Sequence, residues 1–249
     1  MKKQSIKFLI FSIVAVITLS IMSGCCDEKK SGVTDEAKAE SEWISLFDGQ
    51  TLDGWKRYNA DEITDLWIVE DGMILCNGKG GDEGAGQARG SLITKSQFDN
   101  FELVLDWKIT TGANSGILYH IVEKPELAHA YETGVEYQLL DDVGFPSPVT
   151  EAQKAASAYD MYPASADKPL NPPGEWNSSK LIYNNGHVEH WLNGEKVVEY
   201  DESSEDWKAR YDESKWGEYP QWGQYKKGAI GLQDHGGKIW FKDIKIKKL

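Results

Sequence analysis

The sequence predicts an all-β domain, a sandwich or jelly roll of two antiparallel sheets with a few short helices. Three observations carry that expectation. Residues 101–107 place apolar side chains at 101, 103, 105 and 107, the period of a strand with one face in a core. Tight-turn dipeptides (Asp71-Gly72, Asn185-Gly186, Asn193-Gly194) recur between strand-forming runs. Helix signals are few, and no alternation of strand and helix suggests an α/β wind.

Each element follows from its local chemistry. Residues 66–70 and 73–76 form a hairpin on Asp71-Gly72. Residues 180–184, 187–192 and 195–200, joined by the two Asn-Gly turns, form an antiparallel meander. Residues 229–234 and 239–246 read as a closing hairpin around His235-Gly236-Gly237. Residues 203–211 offer a serine N-cap and acids in the first turn of a helix, and 152–158 a short helical turn. The glycine-rich stretch 78–90 lacks the Lys-Ser/Thr of a phosphate loop and reads as a mobile loop beside a binding face.

The first 24 residues have a basic start, an apolar run from Phe8 to Met22 and small residues before Cys25, which describes a secretory signal. Ser23-Gly24-Cys25 resembles a bacterial lipobox with Met22 in place of the usual leucine. That resemblance implies cleavage before Cys25, lipidation of Cys25 and a place in the bacterial cell envelope, facing the periplasm or at the cell surface. Residues 25–42 then read as the lipidated cysteine and a charged, flexible tether, and 43–249 as the folded domain. Within that domain Cys76 is the lone cysteine, so no disulfide framework is expected. A net charge of −13 argues against nucleic acid as a partner.

The most informative run is 134–142. Glu136, Gln138 and Leu140 share one face of a strand, and Tyr137, Leu139 and Asp141 the other. A bulge after Gln138 would bring Asp141 to the side of Glu136. Taken alone, the run reads equally well as an edge strand with solvated polar positions. His120 ends the run after Asn114-Ser115-Gly116, and alternation puts it on the face of Gly116 and Leu118. Gln233, Asp234 and His235 occupy a turn that glycines permit to be tight. Together these carboxylates and histidines offer ligands for a divalent cation, although no metal-specific spacing supports one. Trp216, Tyr219, Trp222 and Tyr225 place an aromatic at every third position, either as a platform for sugar rings or as a satellite core. Trp176 and Tyr159 present the same choice.

The runs 46–55, 67–72, Asn114-Ser115-Gly116-Ile117, 134–142, 175–177, 190–194 and 231–236 occur in this order and resemble the 3-keto-disaccharide hydrolase family over the whole of 43–249. The resemblance implies a concanavalin-like jelly roll, related in architecture to laminarinase-type glucanases. Those enzymes carry Glu-x-Asp-x-x-Glu on one strand; this chain has Glu136-x-Gln138-x-x-Asp141. The resemblance also implies cleavage of glycosides oxidised to a ketone at C3. Such a ketone acidifies the C2 proton, so one general base, an acid and an oxyanion stabiliser suffice.

On this reading the expected catalytic residues are Glu136, His120, Asp141 and His235. The expected substrate contacts are Asn114, Gln138, Tyr159, Trp176, Gln233, Asp234 and Trp222. Glu136 should meet His120 or His235 in one cleft. Two other readings compete: a non-catalytic carbohydrate-binding module at the cell surface, and a conventional glucanase using Glu136 and Asp141.

Overall fold

The computed structural model describes residues 42–78 and 90–249. The signal, Cys25 and nearly all of the tether fall outside them, as does the body of the glycine-rich stretch. Among the described residues thirteen strands form two antiparallel sheets, the jelly-roll sandwich the sequence predicts. The larger sheet runs β11 (Glu195–Asp201), β10 (His187–Leu192), β9 (Asn177–Asn184), β6 (Phe101–Ile109), β13 (Ile239–Lys248), β4 (Met73–Cys76), β3 (Trp67–Glu70). Strand β1 (Ile44–Ser45) pairs alongside β13. The smaller sheet runs β2 (Trp55–Arg57), β5 (Leu92–Thr94), β12 (Ala229–Leu232), β7 (Asn114–Ile121), β8 (Val135–Leu140).

The turn dipeptides act as their chemistry requires. Asp71-Gly72, Asn185-Gly186 and Asn193-Gly194 all have positive φ at both residues, the conformation that matches strand twist in a two-residue hairpin. The alternating residues of β6 bury Phe101, Leu103, Leu105, Trp107 and Ile109 against Ile117, Tyr119, Tyr137 and Leu139 of the smaller sheet. Each such side chain contributes on the order of 1.5–3 kcal/mol through removal from water. Helix α1 (Glu205–Glu213) starts where the Ser204 hydroxyl accepts a hydrogen bond from the Trp207 amide, 3.0 Å away. It carries Trp207 into an annex where Tyr162, Tyr200, Trp207, Trp222 and Trp216 stack in series. The helical turn expected at 152–158 is a single 3-10 turn at Glu151–Gln153.

One local reading needs correction. Residues 229–234 and 239–246 are not a hairpin, because β12 pairs with β5 and β7 while β13 pairs with β4 and β6. The chain between them crosses from one sheet to the other. Gly237 lies so close to Ala113 that a side chain there would overlap it. The Gln233-Asp234-His235 segment therefore spans the end of the sandwich, a position that no local pattern distinguishes from a tight turn.

Candidate active site

The outer face of the smaller sheet supplies the floor of a cavity of about 200 Å³. Register places Gly116 opposite Gln138 and Leu118 opposite Glu136, so β7 and β8 present these residues on one face. The Gln233 amide donates to the Gly116 carbonyl at 2.9 Å, which continues the same face from β12. Asn114, Glu136, Gln138 and Gln233 form the floor, with Tyr131, Tyr159, Lys215, Trp216 and His235 around it. The sequence reading anticipated six of these: Asn114, Glu136, Gln138, Tyr159, Gln233 and His235. It assigned no role to Tyr131 or Lys215, and saw Trp216 only as one ring of an aromatic run.

Glu136 is 4% exposed, and its carboxylate fills the space that a methyl group at Gly116 would need. Strand β8 would be an edge, but residues 156–159 run along it as a strap. Gln138 donates its amide to the Ser157 carbonyl and accepts from the Ala156 amide, and the Tyr159 amide donates to the Glu136 carbonyl. The strap thus protects the edge and delivers Tyr159 to the cavity. His190, buried in β10, bonds through Nδ1 to the Ala156 carbonyl at 2.9 Å and packs against Tyr137 at 4.6 Å between ring centres. The larger sheet thereby fixes the strap from behind.

Polar satisfaction inside the cavity is incomplete. Among the described residues, Asn114 Oδ1 and Gln233 Oε1 are buried with no hydrogen-bond partner, and so is Oδ2 of Asp234, the residue after Gln233. Buried acceptors lacking donors cost free energy unless a ligand supplies the donors, and hydroxyl-rich molecules do so. Burial, together with the negative charges of Glu136 and Asp160, pushes the Tyr159 hydroxyl up to about 12, so it stays a neutral donor. Lys215 is an exposed residue whose ammonium lies against the rings of Tyr159 and Trp216. Desolvation lowers its pKa, and Glu136 and Asp160 oppose that fall.

The structure does not bring His120, Asp141, Asp234, Trp176 or Trp222 into the cavity lining. His120 has a φ of 56°, at a point where the pairing of β7 with β12 shifts register. That kink turns its ring toward Phe101, Tyr119 and Tyr183, with Nε2 bonded to the Asp99 carbonyl at 2.9 Å. Strand β8 has no bulge after Gln138, so Asp141 does not rejoin Glu136. Its carboxylate instead accepts from the amides of Gly112, Val143 and Gly144. Burial would raise its pKa, but these donors outweigh that and hold it below the ordinary range. Asp234 is buried, with Cys76 Sγ 3.7 Å from Oδ1. Trp176 lies by the outer face of the larger sheet, between Lys108 and Lys242. Trp222 is stacked between Trp207 and Trp216, and so supports the wall from within the core.

The histidines and carboxylates that offered possible cation ligands do not gather into one cluster among the described residues. Among the described residues, the one cluster with metal-ligand geometry is His187, Glu189 and Glu199, on β10 and β11. Lys196 already pairs with both carboxylates there, and the cluster is no part of the cavity.

Comparison with known proteins matches the chain to a family. Residues 42–247 match the model of the 3-keto-alpha-glucoside-1,2-lyase-like domain. The chain belongs to this family. It is 31% identical to a 3-keto-disaccharide hydrolase of Bacteroides thetaiotaomicron, over 98% of this chain and 99% of that one. It is also similar to two candidate glycosyl hydrolases of known structure from Parabacteroides distasonis. One is 41% identical with a TM-score of 0.77, covering 88% of this chain and 98% of that one. The other is 27% identical with a TM-score of 0.63, covering 84% and 100%.

Proposed function

We propose that the protein cleaves glycosides whose sugar carries a ketone at C3, by removing the C2 proton, expelling the C1 substituent and adding water across the resulting double bond. The observation that carries this reading is that Glu136 is the one carboxylate among the described residues lining the cavity. Ordinary glycosidases need two carboxyl groups about 5–9.5 Å apart across the scissile bond. Elimination beside a ketone needs one base, and the buried Glu136 carboxylate suits that role. Asn114 and Gln233 supply acceptors for sugar hydroxyls, and the rings of Tyr131, Tyr159 and Trp216 supply apolar faces for the ring. A cavity of about 200 Å³ suits one sugar unit, with the leaving group toward solvent. Family membership and the hydrolase relative support the same chemistry.

The test is substrate discrimination. Protein from residue 27 onward releases the aglycone from a 3-keto-glucoside and leaves the parent glucoside intact. Equal action on both, or on neither, overturns the proposal. The proposal extends to location: Cys25 carries the lipid anchor that holds the enzyme in the cell envelope. Cys25→Ser then releases the protein into the soluble fraction and abolishes fatty-acid labelling.

A further inference from the structure

The enolate chemistry leaves one requirement without a residue: something must receive the negative charge that develops on the C3 oxygen. We propose that Lys215 does this, its ammonium group acting as the electrophilic partner of Glu136 and selecting for the oxidised sugar. The inference rests on the function proposed above and adds a residue from outside the strands, on a short helical turn.

The geometry carries it in three steps. Lys215 lines the same cavity as Glu136, but comes from a short 3-10 turn, Lys215–Glu218, that follows α1. Its Nζ lies 4.4 Å from the ring centres of both Tyr159 and Trp216, so two aromatic faces set its position. Those rings are themselves held. The Trp216 indole N–H donates to the Tyr159 carbonyl at 3.0 Å, and Trp216 stacks on Trp222 at 4.6 Å.

The third step is charge. Other lysines of this region are neutralised: Lys208 pairs with Asp212, and Lys226 with Glu202. Among the described residues Lys215 has no carboxylate within ion-pair distance, and quadrupolar rings hold it without cancelling its charge. Glu136 from β8 and Asp160 from the strap act on it from farther away. Tyr131, Tyr159 and His235 are the other titratable groups lining the same space among the described residues.

The step balances as follows. The Glu136 carboxylate takes the C2 proton, and the C2–H electron pair becomes the C2–C3 double bond. The C3 carbonyl pair moves onto oxygen, where the Lys215 ammonium meets it. The enolate then collapses: the C3 carbonyl re-forms, the C1–C2 double bond forms, and the C1 oxygen departs with its bonding pair and takes a proton. A sugar with a C3 hydroxyl develops no such charge and gains nothing from the lysine.

The experiment uses 3-keto-1,5-anhydroglucitol, which has no exocyclic leaving group at C1, and follows exchange of the C2 proton in D₂O by NMR beside cleavage of a 3-keto-glucoside. Wild type exchanges the proton. Lys215→Met loses exchange and cleavage by about 100- to 1,000-fold, the scale of removing one oxyanion-stabilising donor. Lys215→Arg keeps part of both. In wild type the rate falls at alkaline pH as the ammonium deprotonates; Lys215→Arg moves that limb to higher pH and Lys215→Met abolishes it. An active wild type with undiminished exchange in Lys215→Met, or with an unmoved alkaline limb in Lys215→Arg, overturns the role of Lys215 alone. A wild type inert on both keto compounds overturns the proposed function and this role with it.

Discussion

The carboxylate of Glu136 occupies the space a side chain on Gly116 would fill. The two residues sit on neighbouring strands, and the glycine is what lets a buried acid lie against the floor of the cavity. Position 116 is therefore part of the way Glu136 is aimed, although it carries no chemistry of its own.

Gly116→Ala is expected to lower turnover of a 3-keto-glucoside on the order of 100-fold, much as Glu136→Gln does, because each removes a correctly placed base. The two changes together should cost no more than the worse of them, since both disable one function. Steady-state kinetics on the two single variants and the double variant check this. Additive losses would show that Gly116 acts through something other than Glu136.

Asn114→Leu and Gln233→Leu should move stability and binding in opposite directions. Each removes a buried acceptor that has no donor among the described residues, so the melting temperature holds or rises. Each also removes a partner for a substrate hydroxyl, so KM rises by about tenfold, as expected for a hydrogen bond of roughly 1.4 kcal/mol. Thermal melts and kinetics on the same samples decide it.

Acid should destabilise the fold through two histidines remote from substrate. Burial pushes His120 and His190 down to about 4 from an ordinary value of 6.5. The unfolded chain thus binds more protons than the folded one between those values, and stability falls as pH drops from 6.5 toward 4. The slope approaches about 1.4 kcal/mol per pH unit for each histidine. Glu202, raised by burial, works in the opposite direction, its folded form favouring the proton. Urea unfolding across this range measures the net effect, and His190→Gln should flatten it.

Asp141→Ala should cost about 1–3 kcal/mol of stability by stranding the amides of Gly112, Val143 and Gly144. Because the folded pKa of Asp141 is lowered, this contribution is present above the ordinary aspartate range and disappears as pH falls through the lowered value. Turnover per folded molecule should be unchanged. A large fall in kcat with intact folding would return Asp141 to the reacting groups.

The strands, the turns and the floor of the cavity were legible because each has a local cause. Alternation along β8 puts Tyr137 and Leu139 in the core and Glu136 and Gln138 outside it, and Asn-Gly and Asp-Gly fix the hairpins. The misplacements were of another kind. One left-handed residue reversed the direction of His120, and the absence of a bulge left Asp141 with backbone donors. Neither event has a short-range sequence signature. Tyr131 and Lys215 reach the cavity by tertiary packing of short helical turns, which no periodicity records. Of the aromatic run, Trp216 lines the cavity and Trp222 is stacked behind it.

The floor comes from paired strands, whereas Tyr131, Tyr159, Lys215 and Trp216 come from segments inserted between strands. This makes the site modular with respect to inheritance. Insertions of altered length or composition reshape the walls of the cavity while the sheet keeps Glu136 and Gln138 in register. Exchange of residues 151–162 between members of the family, which leaves Glu136 and Lys215 in place, should therefore change leaving-group preference without changing the ability to act on a keto sugar, and the scaffold can diversify its substrates by changing its margins.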